Sequence, residues 1–347
     1  MLPDNLTAAG WKPFFQQQLQ DETSADVQPA RVAAHFGSQV LLMAGEGEFR
    51  VHSTLAESAG EVAVGDWILV DQQHRAVQRL ERQTVLQRRP PGKTSSPQLI
   101  AANVDTIFIV SSCNQDFNLS RIERYLALAL QSGATPVVVL TKSDLCENPR
   151  DLQRQVEKLH LGLLVEAIDA RDPQQTAVLQ PWCRTGQTVA LLGSSGVGKS
   201  TLTNTLGGSN LPTSGIREKD GKGRHTTTSR SLHRLAAGGV LLDTPGMREI
   251  QLLDCETGVA DLFEDIMQLA AHCRFDDCKH AGDAGCAIIE AVENGDLDER
   301  RFASFQKLLA EQAHNARSLA ERRERDRGFG RMYKSVIKEK RRQRGDV

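Results

Sequence analysis

Between Ala30 and Leu80 the apolar residues fall into short runs: Arg31 to His35, Gln39 to Met43, Glu48 to Ser53, Asp66 to Val70 and Ala76 to Leu80. Gly37, Gly45, Gly47 and Gly65 separate them. Short strands at this spacing, with turn residues between, predict a small β-barrel; the oligonucleotide-binding barrel is the natural candidate, and an SH3-like barrel gives much the same pattern. The preceding stretch, Met1 to Pro29, is polar and has no steady period, which reads as a flexible lead-in. Thr84 to Gln98 carries Pro90-Pro91 with Arg88, Arg89 and Lys93, the composition of an exposed linker that also suits contact with RNA.

The pattern then changes. Val104 to Ser111, Pro136 to Leu140 and Leu163 to Ile168 are buried-strand runs. Ser120 to Ser132 places Ile122, Tyr125, Leu126, Ala129 and Leu130 at helical spacing before Gly133, and a further helix falls near Leu152 to Leu159. Alternating strands and helices predict a doubly wound parallel α/β sheet. Val189 to Leu192 and Val240 to Leu242 continue the strand runs. Beyond them the period is helical throughout: Leu262, Phe263, Ile266 and Leu269, then Ile288, Ile289 and Val292, then Phe302, Phe305, Leu308 and Leu309 in a helix from about Asp298.

Composition adds boundaries to this picture. At 347 residues, 39% hydrophobic and 25% charged, the chain has room for two or three globular domains. Its apolar runs are too short to span a membrane. Met1 to Pro29 offers neither a basic start nor a continuous apolar stretch, so a cytoplasmic protein without a signal peptide is expected. The net charge of −2 hides an uneven distribution, because Glu321 to Val347 holds eleven Lys or Arg against five acids. Such a tail suits RNA phosphates, and suits a solvated charged helix or tail equally.

Seven cysteines are an odd number, and three of them cluster. Cys273, Cys278, His280 and Cys286 form C-x4-C-x-H-x5-C, a donor set that fills a tetrahedral Zn²⁺ and leaves no open catalytic position. So small a helical region needs such a staple.

The nucleotide chemistry begins at TVALLGSSGVGKST. An apolar strand enters Gly193, and Ser194, Ser195, Gly196, Val197, Gly198, Lys199, Ser200 and Thr201 complete G-x-x-x-x-G-K-S-T. Backbone N–H groups of such a loop converge on phosphate oxygens at a helix N-terminus. Lys199 would reach the β- and γ-phosphates and the Ser200 hydroxyl would bind Mg²⁺ with GTP, while Leu202 and Leu206 start the buried face of the helix.

Strand Pro136 to Leu140 runs into Thr141, Lys142, Ser143 and Asp144. This resembles the guanine-specificity element N-K-x-D, whose aspartate accepts two hydrogen bonds from guanine, a group that adenine lacks. Asp144 thus disfavours a metabolic ATPase. Thr141 replaces the usual asparagine, which is expected to weaken the tie to the phosphate loop. Downstream, Asp243-Thr244-Pro245-Gly246 matches D-x-x-G: Asp243 would hold Mg²⁺ through water and the Gly246 N–H would meet the γ-phosphate. Between them, Gly215 to Arg230 suits a first switch, with Thr226 or Thr227 closing on Mg²⁺. Met247 stands where many GTPases place a water-orienting glutamine, so His225 is a candidate for that task. Slow intrinsic hydrolysis, accelerated by a partner, is the expectation. Base recognition precedes the phosphate loop, and D-x-x-G comes last, so the domain reads as circularly permuted.

This succession, with GSSGVGKST, GRHTTT, DTPGMRE, the Cys/His cluster and QLIAANVD at Gln98 to Asp105, closely resembles the circularly permuted bacterial small ribosomal subunit biogenesis GTPases (ribosome small subunit-dependent GTPase A) over roughly Ala30 to Leu309. The resemblance implies an N-terminal oligonucleotide-binding barrel, a permuted GTPase domain and a zinc domain. The division is 1–29 lead-in, 30–83 barrel, 84–98 linker, 99–250 GTPase domain, and 251–347 helical zinc domain with basic tail. It implies hydrolysis of GTP to GDP late in maturation of the 30S ribosomal subunit, stimulated by the subunit; 16S rRNA is the expected RNA partner and a monomer the expected state. At Ile168-Asp169-Ala170 the family usually shows S-A, and Asp169 there bears on nucleotide affinity. The competing reading is an RNA-binding scaffold whose nucleotide site has low turnover.

Overall fold

The computed structural model describes residues 4–19, 26–88, 98–208, 231–243 and 255–313. The lead-in is the first departure from expectation. Residues Asp4–Ala8 (α1) and Pro13–Gln16 (α2) are helical, and Leu6, Trp11 and Phe15 are buried. Three isolated large apolar residues give no period to read. Trp11 and Phe15 are fixed by tertiary contact with Trp67: the Trp11 ring meets it edge-on at 4.7 Å and Phe15 lies at 5.9 Å. Each such aromatic pair is worth about 0.5–1.5 kcal/mol beyond its burial.

The five short strands form where the alternation predicts: Gln28–Phe36 (β1), Gln39–Ala44 (β2), Gly47–His52 (β3), Trp67–Val70 (β4) and Ala76–Arg79 (β5), with a short helix Ser53–Ala56 (α3) after β3. Antiparallel pairing runs β3-β2-β1-β4-β5. Alternation decides which face each residue serves. Ala30, Val32, Val40, Leu42, Val51, Ile68 and Val70 pack in a core belonging to this sheet. Arg31, Ala33, Trp67 and Leu69 point the other way and are also fully or almost fully buried. The sheet is therefore covered on both faces, its second face by the lead-in helices and the next domain.

The stretch expected as a linker is strand-paired at both ends. Val85–Arg88 (β6) lies antiparallel to Gln98–Ala102 (β7), so residues 84–98 start and finish as a two-stranded ribbon. Extended Arg88 and Gln98 find backbone partners in each other, a pairing that proline-rich composition does not reveal.

The doubly wound sheet follows: Thr106–Ser112 (β8), Leu119–Ser132 (α4), Thr135–Thr141 (β9), Pro149–Glu157 (α5), Leu164–Ala167 (β10), Pro173–Thr176 (α6), Thr188–Leu192 (β11), Lys199–Gly207 (α7), Ser231–Arg234 (β12) and Val240–Asp243 (β13). Strand order is β10-β9-β8-β11-β13-β12, parallel except for β12. All residues of β8 and β11 are buried, which is why both read as unbroken apolar runs. The Asn118 side chain caps α4 by accepting from the Arg121 N–H at 2.9 Å, and Gly133 ends the helix in the left-handed region. At one pair, Ala34 with Ser231, β12 also meets β1, joining both sheets into one.

C-terminal helices follow at Glu256–Leu262 (α8), Glu264–Ala270 (α9), Ala287–Glu293 (α10) and residues 299–313 (α11); α8 packs along α4, α11 reaches it through Arg300, and α9 packs between α8 and α10. Contact is closest at Gly258, where a Cβ would stand 2.1 Å from the Ala127 carbonyl oxygen. A fully buried carboxylate, Glu123, faces this interface and takes two hydrogen bonds from Arg300, at 3.0 and 3.2 Å. Among the described residues no helix is long and apolar enough to cross a membrane.

Candidate nucleotide site and metal cluster

Parallel strands β9, β11 and β13 end on the same side of the sheet, and ligands of doubly wound sheets bind in the crevice outside those carboxyl ends. From β11 the chain turns through residues 193–198 into α7. Gly193 has φ +153, and a Cβ there would stand 2.3 Å from the Val110 carbonyl oxygen, so β8 leaves room only for glycine. Lys199 bends back over the turn and donates to the carbonyls of Gly193, at 2.7 Å, and Ser194. Ser195, Gly196 and Ser200 are exposed at the crevice, while Val197, Leu202 and Leu206 are buried beneath it.

Thr141 does reach the phosphate loop. The side chain is fully buried, and its hydroxyl contacts the Val197 carbonyl within the phosphate loop and the Ser111 carbonyl at 3.1 Å. A threonine here is a tie to the loop, made by a short side chain because the space is small: a Cβ on Gly198 would come within 3.2 Å of the same oxygen.

Lys142 adopts the left-handed conformation, φ 57, which turns the chain sharply out of β9 into Ser143 and Asp144. The Ser143 N–H donates to the Ile168 carbonyl at 3.3 Å, and Thr205 of α7 donates to the Ala170 carbonyl at 2.7 Å. Residues 141–144, residues 168–171 and α7 are thus stitched together. Asp144 itself receives a hydrogen bond from Arg171 at 2.8 Å, and Asp169 accepts from the same guanidinium at 2.9 and 3.0 Å. Sequence reasoning passed over Arg171; its only signal was a cation directly after Ile168-Asp169-Ala170. A cavity of about 500 Å³, lined by Ser143, Asp144, Arg150, Gln153 and Gln175 among others, opens on the α5 side of Asp144. This is small-ligand size, but none of its walls is a phosphate-loop residue.

Asp243 closes β13, its backbone paired with Ser231. His225, Thr226, Thr227, Gly246, Met247 and the basic tail lie outside the described residues.

Cys273, Cys278, His280 and Cys286 converge between α9 and α10, with all four ligand atoms within 4.8 Å of one another. His280 Nδ1 is 3.4 Å from Cys286 Sγ and 3.6 Å from Cys273 Sγ. A tetrahedral cation with metal–sulfur bonds of about 2.3 Å has ligand–ligand edges of roughly 3.8 Å, so the donors fit one metal ion. Asp283 accepts from the Lys279 N–H at 3.0 Å and lies 3.6 Å from Cys278 Sγ, bracing the intervening loop. Of the other cysteines, burial pushes Cys113 up to about 11 and Cys183 up to about 12, so neither supplies a thiolate near neutrality.

Comparison with known proteins gives a consistent result. A family model described as RsgA GTPase matches residues 79–253. The small ribosomal subunit biogenesis GTPase RsgA 2 of Vibrio parahaemolyticus is 52% identical over 337 residues, covering 97% of this chain and 94% of that protein. The small ribosomal subunit biogenesis GTPase RsgA of Mesorhizobium japonicum is 47% identical over 316 residues, 90% of this chain and 91% of its own. Among solved structures, YjeQ from Thermotoga maritima superposes with a TM-score of 0.58 at 24% identity, over 82% of this chain and 98% of that one. A structure titled YloQ, a circularly permuted GTPase, gives 0.58 at 21%, over 84% and 97%. At such identities these two bear on the fold alone, and the fold they share is the permuted one.

Proposed function

Because the chain belongs to the RsgA GTPase family, we propose that it hydrolyses GTP to GDP and phosphate during late maturation of the small ribosomal subunit, with the subunit stimulating the reaction. The observation that carries this reading is the bond between Thr141 and Val197, which ties the base-recognition loop to the phosphate loop at the carboxyl ends of β9 and β11, the two parallel strands that flank β8. A single ligand long enough to touch both elements is a nucleotide, and Asp144 selects guanine.

In this proposal the N–H groups of residues 193–201 and Lys199 hold the phosphates, Ser200 and Asp243 hold Mg²⁺, and Gly246 senses the γ-phosphate. Mg²⁺ bound there neutralises charge that develops on the phosphate oxygens. Thr226 or Thr227 closes the first switch, and His225 stands in for the glutamine absent at Met247. Cys273, Cys278, His280 and Cys286 hold one structural Zn²⁺, which three thiolates and one imidazole favour. The antiparallel sheet of 30–83 serves as the oligonucleotide-binding barrel, and it binds 16S rRNA together with residues 84–98 and the basic tail. The protein acts as a cytoplasmic monomer of three domains, 30–83, 99–250 and 251–347.

Measuring GTP hydrolysis by the purified chain with and without 30S subunits tests the proposal. A subunit-dependent rise in rate that Lys199→Ala abolishes is expected. A rate that subunits leave unchanged would favour the scaffold reading instead.

A further inference from the structure

The carboxylate assigned above to guanine already has a guanidinium of this chain against it. Arg171 Nη2 donates to Asp144 Oδ2 at 2.8 Å, while Asp169 holds the same side chain through Nε at 3.0 Å and Nη2 at 2.9 Å. Asp169 also accepts from the Arg171 backbone N–H at 2.9 Å, so the side chain is anchored at both ends. These bonds keep the Asp169 carboxyl below the usual carboxylate range and raise Arg171 above its ordinary value.

Guanine presents a ring N–H and an exocyclic amine on one carbon. That planar pair of donors has the geometry of a guanidinium fork, and a carboxylate accepts both in the same way. We propose that Arg171 is a determinant of guanine-nucleotide affinity, an internal competitor that occupies Asp144 Oδ2 and is displaced when the base takes both carboxylate oxygens. The proposal rests on the assignment of Asp144 as base acceptor.

Asp169 gives the exchange its economy. After displacement Arg171 keeps its bonds to Asp169, so only the Asp144 contact is lost, and the guanidinium stays beside the site. Because the Arg171 side chain is 68% exposed, the contact is screened by salt and worth little more than a surface ion pair. The expected effect on affinity is about two- to fivefold. The same arrangement accounts for an acidic residue at 169, where the family resemblance leads one to expect serine.

Titrating the full chain with a fluorescent GDP derivative at about 50 mM and about 500 mM salt tests this. Arg171→Gln should bind two- to fivefold more tightly than the parent at low salt, with the gap closing at high salt. Arg171→Lys, which keeps the charge without the fork, should fall between. Equal or weaker binding by Arg171→Gln at low salt would overturn the proposal, a loss marking Arg171 as a contact that supports the base. Asp144→Asn, assayed with xanthosine and guanosine diphosphates, examines the premise by itself. If that variant still preferred guanosine, Asp144 would not be the base acceptor, and the competitor role would fall with it whatever Arg171→Gln did.

Discussion

The Arg31 guanidinium donates to the Thr188 hydroxyl at 2.9 Å, linking the first strand of the N-terminal sheet to the strand that carries the phosphate loop. The same fully buried side chain also donates to the carbonyls of Ala9, Gly65 and Asn103. Burial lowers its pKa to about 10, partly offset by Asp105 and Asp66, so it stays charged at neutral pH. One cation therefore satisfies acceptors from the lead-in, the small sheet, the ribbon and the large sheet.

Arg31→Met keeps most of the apolar stem and strands the Ala9 and Asn103 carbonyls, while Gly65 keeps its bond from Asn103 Nδ2. We expect a loss of about 3 kcal/mol in chemical denaturation, from the uncompensated buried carbonyls. A loss under about 1 kcal/mol would mean that the interface is held by Trp67 and its aromatic partners instead.

Thr141→Val preserves shape and removes the hydroxyl that contacts Val197. The phosphate loop loses its tie to β9, and GTP affinity should fall about fivefold, while stability drops by about 1 kcal/mol. Nucleotide titration and thermal melting separate the two effects. Unchanged affinity would leave Thr141 a purely structural residue.

Glu123→Ala leaves Arg300 facing the interface without its buried partner. Arg300 is itself part-exposed, so the loss should be about 1–2 kcal/mol, that of the hydrogen bonds to a charged group. Because the pair joins α4 to α11, limited proteolysis should cut more rapidly within residues 255–313 than within 106–192. Uniform sensitivity of both regions would contradict that localisation.

Metal analysis of the purified chain should find one zinc ion, and a Cys278→Ser/Cys286→Ser double variant should find none. Removal of the ion leaves three cysteines and a histidine crowded in a loop with little core of its own, so the melting temperature should fall by several degrees. Full thermal stability in a metal-free double variant would refute the structural role of the cluster.

Much of this protein follows from local chemistry. Strands β8, β9 and β11 are apolar because both their faces are buried, and Gly193 to Thr201, Thr141 to Asp144 and the Cys/His cluster are read directly, since spacing along the chain fixes their geometry. Family membership comes from the same ordered motifs. Tertiary structure decided what depends on residues far apart in sequence. Trp11 and Phe15 order the lead-in only because Trp67 receives them, and Thr141 grips the phosphate loop only because Val197, 56 residues later, is brought beneath it. Arg171 reaches Asp144 across 27 residues, and Arg300 reaches Glu123 across 177. Periodicity records the face a residue shows, whereas a hydrogen bond depends on which distant group the folded chain brings within about 3 Å of it.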